Sequence, residues 1–173
     1  MKRLLFFCLL LFFIGCLGYP DHVVPVMDFN LEQYLGKWYE IARLDHSFER
    51  GLEQVTAEYS MREDGGVRVL NRGFSVEKNE WKEAEGKAYF VQDANIGYLK
   101  VSFFGPFYGS YVIFGLDHKN HQYAFVSGPN LSYLWFLSRT PTVRDSLMKQ
   151  FVHQAKELGF SVEELIYVNQ AVE

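Results

Sequence analysis

From Gly36 to Arg139 short segments alternate apolar and polar residues, the period of two that predicts β-strands. Turn-forming clusters punctuate them at Arg62–Gly66, Glu77–Glu80, Asp93–Asn95, Gly105–Pro106, Asp117–Asn120 and Gly128–Asn130, and the pattern predicts eight strands. Within 67–72, Arg68, Leu70 and Arg72 alternate with Val67, Val69 and Asn71, which places both arginines on one outward face. Lys100 and Ser102 alternate in the same way with Leu99, Val101 and Phe103. Short turns between consecutive strands predict an antiparallel up-and-down meander, and closing it into a barrel removes the exposed edges.

Beyond Arg139 the period becomes helical. Val143, Leu147, Phe151, Ala155 and Leu158 form one apolar stripe, with Thr140 expected as N-cap, Pro141 as first helical residue and Gly159 as the stop. Val162 to Val168 is expected as a short final strand. The fold class is therefore all-β with one helix: an eight-stranded antiparallel barrel over residues 36–173, carrying a C-terminal helix and a last short strand.

The first residues have a different logic. Met1-Lys2-Arg3 is basic, Leu4 to Ile14 is unbroken apolar sequence, and Gly15-Cys16 follows, so residues 1–15 are expected to be an export signal. The apolar run is shorter than the ~20 residues a membrane-spanning helix needs. Phe13-Ile14-Gly15-Cys16 resembles a bacterial lipobox, which implies acylation of Cys16 and a membrane anchor there; an ordinary secretory cleavage elsewhere is the alternative. Leu17 stands where an aspartate would favour retention at the inner membrane, so the outer membrane, on its periplasmic face, is the expected location. Residues 16–35, with Pro20 and Pro25, are expected to be a spacer arm.

At 173 residues, 49% hydrophobic and 17% aromatic, the chain has the means to bury a sizeable core in one domain. Its net charge of −4 is mild and its basic residues are scattered, so nothing points to nucleic acid. Cys8 lies within the signal, which leaves Cys16 alone in the mature chain and no intramolecular disulfide.

Gly36-Lys37-Trp38-Tyr39-Glu40 opening the first strand, Arg139 closing the eighth and the helix after it together resemble the lipocalin signature. The stretches Tyr39–Arg43, Phe48–Leu52 and Tyr133–Pro141 are similar to those of bacterial lipocalins. The resemblance implies that Trp38 plugs the closed end of the barrel beneath Arg139, a structural pair with Gly36 rather than a binding one. It also implies carriage of a fatty acid or lysophospholipid, without catalysis and without a cofactor.

If Trp38 marks the closed end, residues 45–53, 77–81, 105–109 and 129–132 share the open end. Their Phe48, Leu52, Phe107, Tyr108 and Leu131 form an apolar rim suited to a lipid tail or to homodimerisation, or else pack the loops on one another. Alternation from Trp38 assigns the ligand-contacting inner face to Glu40, Ala42, Ala57, Val69, Asn71, Ala88, Phe90, Val101, Phe103, Tyr111, Tyr133 and Trp135, with Tyr59 and Ile113 beside them. The alanines favour a cavity over a barrel filled by its own side chains. An inward Glu40 requires a partner, expected as a buried tyrosine or backbone amide, or else the polar group of a ligand.

Other chemistry finds no support in the residues. His118-x-x-His121 has metal-like spacing but falls in a turn at the closed end, and no G-x-S-x-G nucleophile elbow occurs. No histidine is placed inside the barrel to ligate haem. Two rival functions stand beside the carrier: an envelope protein with a packed barrel whose loops bind another protein, and an enzyme that isomerises its ligand.

Overall fold

A computed structural model describes residues 17–170. The expected signal over 1–15 and the expected lipidation site Cys16 lie outside the described residues. The eight expected wall strands form where the alternation places them: β1 (Gly36–Arg43), β2 (Leu52–Met61), β3 (Val67–Ser75), β4 (Glu80–Phe90), β5 (Tyr98–Phe104), β6 (Phe107–Leu116), β7 (Tyr123–Ser127) and β8 (Leu134–Ser138). Each pairs antiparallel with the next, and β1 pairs with both β2 and β8, so the meander closes into a barrel.

Closure leaves one stretch of β1 to be covered by another element. β2 pairs β1 only over Gly36–Tyr39, and a two-residue strand β9 (Ile166–Tyr167) takes the same edge at Ala42 and Arg43. β9 is shorter than the expected 162–168 because Val162–Glu164 winds into a 3₁₀ turn. Four-residue helix α1 (Leu31–Tyr34), capped by the Asn30 side chain on the Gln33 N–H, precedes β1.

Two apolar clusters share the barrel wall. The inner one gathers Trp38, Tyr59, Val67, Val69, Leu99, Ile113 and Val126 inside the barrel. The outer one holds helix α2 (Asp145–Glu157), whose Phe151 ring lies 4.9 Å from Phe136 and 5.0 Å from Phe125. Ala155 is buried on the same stripe, which is what the helical spacing required.

The helix begins later than expected. Arg144 is the N-cap residue and makes no side-chain cap bond, whereas Thr140 accepts on its hydroxyl from nothing helical and donates instead to the Thr142 carbonyl. Thr140 and Pro141 belong to an extended link, because the chain must first cross from the end of β8 to the outer wall. The stop is as expected. Gly159 has φ +90°, its N–H donates to the Lys156 carbonyl and the Phe160 N–H to that of Ala155, a Schellman closure.

The expected spacer arm docks on the barrel over part of its length. Val23 and Phe29 are buried, the Val26 N–H donates to the Ile113 carbonyl, and the Gly97 N–H donates to the Val26 carbonyl. Apolar residues spaced irregularly along the arm give no period to find, yet they dock against the barrel and cover its base.

At that base the Arg139 guanidinium lies 3.9 Å from the centre of the fully buried Trp38 ring. It donates to the carbonyls of Gln33, Leu35, Lys37 and His121 at 2.7–3.2 Å, and Trp38 Nε1 donates to the Tyr34 carbonyl at 2.8 Å. Gly36, at φ +93°, carries the chain into β1 beside the guanidinium.

Candidate functional site

The interior holds a cavity of about 510 Å³. Of the inner-face residues expected from alternation, Glu40, Ala57, Val69, Asn71, Ala88, Val101, Phe103, Tyr111, Tyr133 and Trp135 line it, as does Tyr59. The walls leave room because small residues recur on β4: Ala84, Gly86 and Ala88 follow at intervals of two and face inward opposite Asn71, Val69 and Val67. Gly86 has no space for a side chain, since a Cβ there would sit 2.8 Å from the Phe103 ring and from the Ser102 carbonyl.

Two of the expected residues lie elsewhere. Phe90 packs at the base against Phe29, their ring centres 6.0 Å apart. Ala42 faces outward into the cluster beneath α2, because a bulge between Glu40 and Ala42 inserts Ile41 against β8 and reverses the alternation. Arg43 therefore turns inward in its place.

That reversal supplies the partner Glu40 required, and it is not a tyrosine or an amide. Arg43 Nη1 donates to Glu40 Oε1 at 2.6 Å with both side chains nearly fully buried. Arg43 Nη2 donates to the carbonyls of Glu49 and Leu52, which fastens the loop 44–51 to the wall, and Trp135 Nε1 donates to Glu49 Oε2 at 3.0 Å. Burial raises the Glu40 carboxyl well above its ordinary value, Glu49 raising it further and Arg43 opposing. Burial also raises Glu49, against the hydrogen bond from Trp135.

Deeper in the cavity three phenols meet. Tyr111 Oη lies 2.7 Å from Tyr34 Oη and 2.8 Å from Tyr59 Oη, and burial raises all three above the usual phenol value, so they remain neutral. Three hydroxyl protons share two such contacts, so one proton is left over for a further acceptor. The Asn71 carbonyl oxygen is buried there without a partner.

The rim is uneven. β4 pairs with β5 only over Lys87–Phe90, so its outer segment toward Glu80 has no ladder partner on the β5 edge and leaves a notch on that side. Of the expected rim residues, Phe48, Phe107 and Leu131 are exposed and Leu52 lines the cavity. Tyr108 turns away beneath Lys100, whose ammonium lies 5.2 Å from its ring. His46 is stacked between Phe48 and Tyr133, and burial, then the charge of Arg43, lowers its pKa to about 4.

Sequence reasoning missed Glu49, Arg43, Tyr34 and the Ala84–Gly86 pair. Alternation back from Ala88 finds the pair; a bulge and a docked arm carry no periodic signal, so Arg43 and Tyr34 do not show.

A closed eight-stranded antiparallel barrel with a ligand-sized cavity, a Trp38–Arg139 plug and a helix on the outer wall is the architecture of a small-molecule-binding lipocalin. Residues 29–170 match the family model of the lipocalin-like domain, and the chain belongs to the lipocalin family. It is 69% identical to the outer membrane lipoprotein Blc of Vibrio cholerae over 90% of this chain and 91% of that one. The outer membrane lipoprotein Blc of Citrobacter freundii is 51% identical over 87% of this chain and 85% of its own. Insecticyanin from the tobacco hornworm Manduca sexta has the same fold, with a TM-score of 0.71 at 22% identity over 89% of this chain and 87% of its own.

Proposed function

We propose that the chain is an outer-membrane lipoprotein, acylated at Cys16 and facing the periplasm, that carries a fatty acid or lysophospholipid in its barrel. The observation that carries this reading is the open cavity of about 510 Å³ lined mainly by apolar side chains. A barrel packed solid by its own side chains, as the rival envelope-interaction reading needs, would have no such space. The names of both outer membrane lipoproteins quoted above support the location.

Carriage follows from burial. Each methylene of an acyl chain moved from water into the cavity contributes about 0.8 kcal/mol, which over a long chain exceeds the cost of immobilising it. The polar groups in the cavity include tyrosine hydroxyls, the Asn71 amide, the Glu40 carboxyl paired to Arg43 and the Glu49 carboxyl bonded to Trp135, suited to orienting a ligand. No covalent step is required of them.

Native mass spectrometry on residues 16–173 carrying Cys16→Ser, delipidated and titrated with palmitate and a palmitoyl lysophospholipid, tests the reading. One ligand per barrel is expected. Ala57→Leu or Ala88→Leu displaces two or three methylenes and should weaken binding by roughly fifteen- to sixty-fold. No binding of either lipid, or binding unchanged in both variants, would refute the cavity as the carrier site.

A further inference from the structure

The open-end loops carry much of the exposed apolar surface of the described residues. Phe104 is 79% exposed and Phe107 64%, and Phe48, Val76 and Leu131 stand exposed on the other open-end loops. Among the described residues the closed end carries less: its turns 62–66, 92–97 and 117–122 have no exposed large hydrophobic side chain, although Met61 beside the first turn and Val24 and Met27 on the arm are exposed. Phe104 and Phe107 flank the turn of the β5–β6 hairpin, which is the low side of the rim where the notch beside β4 opens the cavity laterally.

The described chain also begins on that side. The Gly18 N–H donates to Ser110 Oγ on β6 at 3.1 Å, and the Tyr19 ring meets Tyr98 of β5 edge-on at 5.0 Å. Ser110 is three residues from Phe107, about 10 Å along the strand, so Gly18 is held on this side of the barrel. In the lipoprotein reading the anchor is attached two residues before Gly18 in the sequence.

Three independent features thus coincide at one hairpin: the notch, the exposed phenylalanine pair and the origin of the chain. We propose that this side of the mouth rests on a lipid surface, with Phe104 and Phe107 entering the interfacial layer so that the cavity opens onto the membrane and not onto water. The proposal rests on the lipoprotein reading, because the anchor is what brings the bilayer within reach of the hairpin. It gives an acyl chain a route between bilayer and cavity that does not cross water, and it leaves the closed end in solution.

The test uses the full acylated chain reconstituted into phosphatidylethanolamine–phosphatidylglycerol vesicles containing brominated phosphatidylcholine. Phe104→Trp reports on the hairpin and His118→Trp on the closed end, each read against the unsubstituted chain with its own tryptophans. Flotation with the vesicles comes first, and a chain that does not float counts against the anchor rather than the docking. In a chain that floats, the Phe104→Trp signal should lose half or more of its intensity to bromine and the His118→Trp signal less than a tenth. Equal quenching of the two, or none at Phe104→Trp, overturns the proposal. A Phe104→Ser, Phe107→Ser double variant that floats normally but abolishes a concentration-dependent dimer, with Phe104→Trp unquenched, would assign the rim to a second copy and likewise overturn it.

Discussion

A single guanidinium organises the upper part of this barrel. Arg43 neutralises Glu40 within 2.6 Å, lies close to Glu49 and fastens loop 44–51 through two carbonyls. Arg43→Met leaves Glu40 and Glu49 buried without their cation, and chemical denaturation should show a loss of about 3–5 kcal/mol. His46 makes a second prediction at this scale. Its pKa of about 4 lies below the unfolded value, so above pH 6.5 neither state is charged, while between 6.5 and 4 only the unfolded imidazole takes a proton. Acidification through that window therefore destabilises the fold through His46, whereas the raised carboxyls of Glu40 and Glu49 act with the opposite sign. Comparing the chain with His46→Phe at each pH isolates the histidine: relative to the variant, the unsubstituted chain should lose about 1–3 kcal/mol from pH 7 to pH 4. The oddity of an inward Glu40 was legible in the sequence, because alternation from Trp38 needs no knowledge of the partner. The identity of its partner was not.

At the scale of elements, strand alternation and helical stripe each predict their own face well, and failure occurs where a local irregularity resets the count. The bulge at Ile41 is such a place: one added residue sends Ala42 out to α2 and Arg43 in to Glu40. The start of α2 is another, since Thr140-Pro141 has the composition of a helix entry but lies where the chain is still crossing to the wall. Its end follows the local rule. Gly159→Ala forces a Cβ into the left-handed region and should lower stability by about 1 kcal/mol, measured by urea unfolding. Phe151→Ala removes the ring that seats the helix against Phe125 and Phe136, and should cost about 3–5 kcal/mol by the same measurement.

At the scale of the whole molecule, closure makes ligand and fold one system. A ligand that binds only the closed barrel stabilises it by about 2.7 kcal/mol at a free concentration one hundred times its Kd. For a domain of this size that raises Tm by roughly 5–10 °C, to be read by calorimetry with and without palmitate. Ala88→Leu, which takes up part of the cavity, should abolish most of the increment while leaving the unliganded Tm within a few degrees, since the added side chain occupies empty space.

The barrel, the order of its strands, the helix stripe with its Gly159 stop and most of the lining are written in the chain's short-range periodicity, and the Trp38–Arg139 plug follows from the resemblance of Gly36-Lys37-Trp38 and Arg139 to the lipocalin signature. Only the tertiary structure decided the docking of the arm, the reversal at Ile41, the union of Arg43 with Glu40 and Glu49, the three-phenol floor and the low notch between β4 and β5. Each of these is a meeting of residues distant in the chain or a break in the period, and no local pattern encodes where such segments come to rest.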